Sequence, residues 1–510
     1  MSITTQIYTL FSYSLLNEVD EARKNPWEKQ EKLFRTLIEA GRETWFGSEH
    51  GFAGITSVKD YQNAVPLRDY NGFEPFIDRI RHGENYILWN QKVKWFAKSS
   101  GTSSSKSKFI PVTDDALYNC HYSGMRTMLA DYLNKNPDSG LFKGNALTLG
   151  GSVNIDEAGS GETFYGDLSA ILLKNANILV ELRRVPSKEI ALIADFDTKV
   201  TEICKNAEKY DVTNFSGVPS WNLVLMNRIL EYHNIPDLLH LWPNLELFMH
   251  GGINFEPYRE QYRKLIPSDK MNYRENYNAS EGYFAFQDEA DEDSMLLLLS
   301  NGVFYEFIPL EKLDEALEGS FREFDTIESV KTGINYAMVI TTNSGLWRYL
   351  IGDTVVFTSL TPHKIKITGR TQMFINTFGE ELMIGNAEKA LSLACSAFNA
   401  TITDYTVAPV FMHDKSKGYH QWLIEFENHP SDYEVFANYL DGALCEINSD
   451  YDAKRTNSVT MNRLELISLK PGTFFEWMRR RNKLGGQNKV PRLSNKRDFA
   501  DELLKINEDI

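Results

Sequence analysis

Lys92-Val93-Lys94-Trp95-Phe96-Ala97 runs directly into Lys98-Ser99-Ser100-Gly101-Thr102-Ser103-Ser104-Ser105-Lys106-Ser107-Lys108. The first stretch reads as a strand and the second as a glycine- and serine-rich loop. Small hydroxyl residues around a glycine let backbone amides and side-chain oxygens converge on phosphate oxygens. The P-loop pattern G-x-x-x-x-G-K-[ST] is met only at its end: Lys106-Ser107 fits, but Ser100 and Ser105 stand at the glycine positions. Taken alone, this loop reads equally well as a serine-rich surface loop.

The pattern on both sides of the loop alternates. Upstream, residues 13–46 repeat apolar positions at helical spacing, with a break at Pro26. Downstream, Ala146–Leu149, Leu245–Met249, Ser294–Leu299 and Tyr336–Thr341 read as strands, and Thr198–Tyr210 as a helix. This mixed order predicts an α/β fold, a large N-terminal domain of β-sheets flanked by helices. Beyond about residue 375 the pattern becomes α+β. Helices are expected at Ile384–Ala397, Tyr433–Ile447 and Thr473–Arg481, and strands at Thr403–Phe411, His420–Phe426 and Ser458–Leu469. We therefore divide the chain into residues 1–372 and 373–510.

Composition narrows the function classes. The 510 residues carry 54 Lys+Arg against 70 Asp+Glu, a net charge of −16. Such a chain is a poor general binder of nucleic acid or anionic membrane, since both demand positive potential. The most obvious aliphatic run, Met295–Leu299, is far too short to span a bilayer. No Lys or Arg precedes Arg23, so the N-terminus does not read as a signal peptide. Cys120, Cys204, Cys395 and Cys445 lie far apart and form no metal-ligand spacing. Reduced thiols in a cytoplasmic protein are expected.

Three further segments carry chemistry. His250-Gly251-Gly252-Ile253 and Tyr277-Asn278-Ala279-Ser280-Glu281-Gly282 pair a close-approach glycine turn with a carboxylate. Magnesium usually rests on one or two carboxylates plus substrate phosphates, so Glu281 is a candidate ligand. Trp347-Arg348-Tyr349-Leu350-Ile351-Gly352-Asp353 is followed by Lys366-Ile367-Thr368-Gly369-Arg370. An Asp at a strand end can accept both ribose hydroxyls, and an Arg nearby can reach ribose or phosphate. Gly485-Gly486-Gln487-Asn488-Lys489-Val490-Pro491-Arg492 is a polar loop whose Lys could meet a phosphate late in a closure motion. Each segment alone also reads as ordinary surface structure.

Their order is more specific than any one of them. Ser-Ser-Gly-Thr-Ser, Gly-Gly, Tyr-x-x-Ser-Glu, Tyr-x-x-Gly-Asp and Gly-Arg follow one another as in adenylate-forming enzymes. More narrowly, the chain resembles the auxin-responsive Gretchen Hagen family of acyl-acid amido synthetases and its bacterial relatives. The marks are Ser99–Ser103 with Lys108 and Pro111, Tyr277–Glu281, Arg348-Tyr349 with Gly352-Asp353, Asn376-Thr377-Phe378-Gly379-Glu380, and Lys489-Val490-Pro491-Arg492. The resemblance spans essentially the whole chain.

The resemblance implies a large N-terminal domain that binds ATP and the acyl group. It also implies a smaller mobile C-terminal domain closing over an active site between the two. It implies two steps: ATP and a carboxylic acid give an acyl-adenylate and pyrophosphate, then an amine, usually of an amino acid, displaces AMP. Carried over residue by residue, Ser99, Ser100, Thr102 and Ser103 would hold the phosphates, Gly101 and Ser280 would belong to the same ATP site, and Glu281 would help hold Mg2+. Tyr277, Gly251 and Gly252 would face adenine or the acyl group, with His250, Ile253 and Val218 beside them. Asp353 would take the ribose, Arg370 ribose or phosphate, and Lys489 the charge developing at the α-phosphate. Arg126 is the nearest candidate for the arginine that meets the acyl carboxylate. Ser104-Ser105 replace glycines common in relatives, and Gln372 replaces the usual hinge Asp. Two alternatives remain open on this reading: a thioester-forming CoA ligase and a non-catalytic nucleotide-binding protein.

Overall fold

The computed structural model describes residues 3–99, 108–156, 162–252, 255–371, 374–375, 377–378, 380, 382–411, 418–456, 461–481, 483–484 and 489–510. They form two compact units. The first comprises residues 1–217, 239–252 and 269–367, and the second residues 218–238, 253–268 and 368–510.

In the first unit, described residues build an eleven-stranded mixed sheet. Its order is Val303–Pro309, Asn335–Thr342, Tyr349–Leu360, His363–Arg370, Met295–Leu297, Gly282–Phe286, Asn272–Ala279, Leu247–His250, Val212–Gly217, Asn145–Thr148 and Arg184–Val185. Asn272–Ala279 is the pivot. It pairs parallel with Leu247–His250 on one edge and antiparallel with Gly282–Phe286 on the other. Every residue of Leu247–His250 is buried, as expected of a strand covered on both faces.

Helices cover the sheet because their apolar stripes match its faces. Pro26–Gly41 starts on proline, whose missing N–H has no partner in a first turn anyway, and buries Phe34, Leu37 and Ile38. Its buried Gln30 donates to the carbonyls of Leu299 (2.6 Å) and Val303 (3.0 Å) and accepts from Tyr305 N–H. That fixes the helix against the sheet. A smaller sheet runs in the order Lys108–Val112, Trp95–Ser99, Phe164–Gly166, Val153–Ile155.

In the second unit, Thr401–Val410, Tyr419–Asn428 and Glu465–Leu469 form a sheet. Helices Ile384–Ala397 and Tyr433–Ile447 share its core with Ile402, Val407, Trp422 and Ile424. Gln261, on the helix Arg259–Leu265, donates to the carbonyl of Ile402 (2.7 Å), so a segment from the middle of the chain completes this unit.

The expected strand at Ser458–Leu469 is shorter: among described residues it begins at Glu465. Asn462 N–H bonds Gly418 O (2.7 Å) and Leu464 N–H bonds the Asp441 carboxylate (3.3 Å), so a side chain takes an amide that a ladder needs. The strand expected at Lys92–Ala97 is also displaced, running Trp95–Ser99.

Candidate active site

Four strands of the parallel half, Asn145–Thr148, Val212–Gly217, Leu247–His250 and Asn272–Ala279, pair parallel in turn. Their carboxyl ends therefore lie along one edge. Those ends lead into Gly150-Gly151, Gly217-Val218, Gly251-Gly252 and Ser280-Glu281. In open α/β sheets ligands bind outside such ends, where the strand order or direction switches.

Gly251 is required by a close approach. A Cβ there would lie 2.3 Å from the carbonyl oxygen of Asn276, and Asn276 donates to His250 O (3.0 Å). Gly252 has φ 85°, in the left-handed region. His250 is buried, with its ring 5.3 Å from that of Phe248.

Ser280 and Glu281 form the turn after Asn272–Ala279, whose last residue Ala279 is the register partner of Gly282. Both are buried, and the Tyr349 hydroxyl donates to Glu281 Oε1 (3.4 Å). Tyr277 donates from its hydroxyl to Asp353 Oδ2 at 2.5 Å. Asp353 reaches it from an irregularity: Val339 pairs with Leu350 but Ala337 with Thr354, so Ile351-Gly352-Asp353 bulges out of the ladder. A bulge of this kind re-aims a side chain, and Gly352 at φ 88° permits it.

Ser99 and Lys108 are register partners, so both ends of residues 100–107 are pinned at one place. The helix Tyr70–Arg81 links this place to Glu281. Its Tyr70 hydroxyl accepts Phe109 N–H (2.9 Å), and its Phe73 packs edge-on to Tyr349 (5.8 Å). Ser100, Gly101, Thr102, Ser103 and Ile253 lie outside the described residues. Arg126 is exposed on the helix Tyr122–Lys135, where its guanidinium bonds the carbonyls of Tyr122 (3.1 Å) and Tyr118 (3.2 Å). Arg348, inside the Trp-Arg-Tyr motif, is a structural residue: it is fully buried on Glu306 (3.1 Å) and on the carbonyls of Gln62 and Val65.

In the second unit Val218 precedes the helix Pro219–His233, and Arg370 ends the strand His363–Arg370, whose last three residues belong to this unit. Lys489 begins a firmly held segment. Val407 N–H bonds Arg492 O (2.9 Å), Ser494 N–H bonds Val407 O (3.0 Å), and Thr406 Oγ1 donates to Pro491 O (2.5 Å). The buried Arg492 guanidinium bonds Asp404, the carbonyl of Tyr405 (2.9 Å) and the hydroxyl of Tyr258 (2.8 Å).

Residues 15–271 match the GH3 family N-terminal domain, 296–370 its central domain and 385–498 its C-terminal domain. The chain belongs to the GH3 family. Among its relatives is a jasmonoyl–L-amino acid synthetase of Oryza sativa subsp. japonica, 24% identical over 94% of each chain. An indole-3-acetic acid-amido synthetase of Arabidopsis thaliana is 23% identical, over 94% of this chain and 91% of its own. A solved GH3.15 acyl acid amido synthetase in complex with 2,4-DB superposes with TM-score 0.79 at 19% identity, covering 97% of this chain and 95% of that one. A 2-hydroxyisobutyryl-CoA ligase in the postadenylation state gives TM-score 0.57 at 12% identity, over 97% and 92%. The fold is thus that of GH3 proteins and, more broadly, of adenylate-forming enzymes.

Two contacts of this GH3 chain have no signal in the sequence, although His121 falls in the segment Tyr118–Met128 that reads as a candidate pocket wall and Arg492 in the Lys-Val-Pro-Arg mark. One is the Arg492 anchor beside Lys489. The other is His121, which bonds Asn278 Oδ1 through Nδ1 (3.1 Å) inside the turn Leu117–His121. A histidine next to a motif on a distant strand leaves no local signal. Thiol chemistry is disfavoured, because burial pushes Cys120 and Cys395 up to about 12.

Proposed function

We propose that this GH3 chain is an ATP-dependent, AMP-forming acyl-acid amido synthetase. It adenylates a carboxylic acid with release of pyrophosphate, then transfers the acyl group to an amine, of the amino-acid class. A carboxylate is a poor electrophile because its leaving group is hydroxide-like, whereas AMP leaves readily. The observation that carries the reading is the strand Asn272–Ala279. It switches from parallel to antiparallel pairing, holds Asp353 through Tyr277 and turns at Glu281.

In this reading Ser99, Ser100, Gly101, Thr102, Ser103 and Ser280 bind the phosphates and Asp353 the ribose hydroxyls. Arg370 reaches ribose or phosphate. Val218, His250, Gly251, Gly252, Ile253 and Arg126 line the acyl side. Glu281 holds Mg2+, which neutralises phosphate charge. Among described residues no group of three or more His, Cys, Asp and Glu is gathered as a metal cage. Residues 1–372 act as the ATP- and acyl-binding domain, and residues 373–510 bring Lys489 to the α-phosphate. Among described residues no helix is long and apolar enough to cross a membrane. Four cysteines without disulfides support a cytoplasmic setting.

Acid-dependent ATP–pyrophosphate exchange with Mg2+, across aryl, indolyl and fatty acids, tests the first step. AMP release with amino acids against coenzyme A tests the second. Amide product supports the reading, and thioester product replaces it with a CoA ligase. ATP binding without exchange for any acid makes the chain a nucleotide-binding protein.

A further inference from the structure

His121 is 1% exposed, and its ring is only half satisfied. Asn278 Oδ1 can only accept, so Nδ1 carries the ring proton and Nε2 presents a bare lone pair. That Nε2 is buried without a hydrogen-bond partner. A buried acceptor left unpaired costs the folded chain its full desolvation penalty.

The surroundings are built rather than incidental. His121 ends a single π turn, Leu117–His121, at the head of the helix Tyr122–Lys135. Such insertions occur often at functional sites. This one is braced: Asn301 Nδ2 donates to the Cys120 carbonyl (3.0 Å), and Tyr283 N–H bonds the Cys120 sulfur (3.2 Å).

The strand geometry tells which side of the site His121 serves. Successive side chains of a strand point to opposite faces. Tyr277, which holds Asp353, therefore lies on one face of Asn272–Ala279. Asn276 and Asn278 lie on the other, with His121 on Asn278 and the His250 carbonyl on Asn276. His121 thus lies on the face from which Asn276 reaches the His250 carbonyl, opposite the face from which Tyr277 holds the proposed ribose carboxylate.

We propose that His121 Nε2 is a specificity-determining acceptor in the acyl subsite, selecting carboxylic acids that carry a hydroxyl or N–H donor. The inference rests on the amido-synthetase reading above. Burial pulls the imidazole pKa down to about 4, so at neutral pH Nε2 accepts a hydrogen bond without taking the proton. That separates this role from general-base catalysis on the amine. A site built around a polar partner rejects analogues lacking it, because its own buried group is then stranded.

The test compares pairs of acids identical but for one donor: hydroxyphenyl against phenyl acids, and indolyl against N-methylindolyl acids. In pyrophosphate exchange, wild type is expected to favour one donor-bearing member by about tenfold or more in kcat/KM. His121→Leu should bring that ratio close to one, and His121→Gln, which keeps an acceptor, should retain part of it. A wild-type ratio near one for every pair, or a ratio unchanged in His121→Leu, overturns the inference. Discrimination that moves instead with the 6-amino group of the nucleotide overturns it in favour of base recognition. A second measurement needs no turnover. With 15N-labelled histidine, the Nε2 resonance missing from His121→Gln should shift on adding the donor-bearing acid with ATP, and not with its partner. An unmoved resonance refutes the inference even where exchange proceeds. A moved resonance without exchange keeps it and refutes the synthetase reading.

Discussion

Arg492→Leu should loosen the segment that carries Lys489, and the structure sets the size of the effect. The guanidinium bonds Asp404, Tyr405 O and the Tyr258 hydroxyl and lies over the Tyr405 ring at 4.7 Å. The Arg492 and Asp404 side chains are 8% and 13% exposed. Removing one partner of a buried pair costs about 3–5 kcal/mol because the other charge is left uncompensated. The residual exposure of Asp404 puts this case at the lower end, about 3 kcal/mol, or roughly a hundredfold in a local opening equilibrium. The amide to watch is Val407 N–H, bonded to Arg492 O, with Ser494 N–H returning to Val407 O. Hydrogen exchange by mass spectrometry over residues 401–410 should show roughly that hundredfold loss of protection. Arg492→Lys should lose less, since it keeps the charge but not the planar fork. The adenylation rate should fall in the same order, with ATP affinity retained. Protection within about threefold of wild type in Arg492→Leu would refute the anchor. Lost protection with an unchanged adenylation rate would keep the anchor as packing and remove its bearing on Lys489.

Other outcomes are expected. Lys489→Ala should slow adenylation by ~100–1000-fold in single-turnover assays while leaving the ATP dissociation constant nearly unchanged; equal loss of both would contradict a role confined to the reaction step. Asp353→Ala should weaken ATP binding by roughly 10–100-fold in calorimetry, the worth of hydrogen bonds to a charged group; unchanged affinity removes Asp353 from the ribose. Below pH 6.5 the unfolded chain protonates His121 freely, whereas the folded chain resists down to about 4. Stability is therefore lost as pH falls across that window, by about 3 kcal/mol from this group, and is unaffected by it above. His121→Gln should show a smaller drop in urea midpoint between pH 7 and 4.5 than wild type, and equal drops would show that the imidazole is not buried neutral.

Much of the architecture was legible locally. Helices Ile384–Ala397 and Tyr433–Ile447 stand where the apolar repeat put them, because each has one continuous buried stripe: Ala387, Ala390, Leu391 and Ala394 in the first, Phe436, Ala437, Leu440 and Leu444 in the second. The chemical motifs were legible too, since glycine turns and lone carboxylates are short-range features. Their geometry was not. Nothing in Gly352-Asp353 announces a bulge, which exists only relative to Val339 and Ala337 on the neighbouring strand. Likewise nothing local announces that Arg348 is buried on Glu306, which lies on another strand.

The same contrast separates residues that can be read from those that must be seen. Asp353 and Glu281 sit in motifs, yet each is oriented by the tyrosine that opens the other's motif, Tyr277 for Asp353 and Tyr349 for Glu281. Removing either hydroxyl by a Tyr→Phe change leaves both carboxylates in place. If the orienting tyrosines matter, Tyr277→Phe should reproduce part of the Asp353→Ala loss in ATP affinity, and adding it to Asp353→Ala should cost little more, because the hydroxyl acts through the carboxylate. Independent, additive losses would mean that the phenol touches the nucleotide itself and that the bulge, not the hydrogen bond, sets the direction of Asp353.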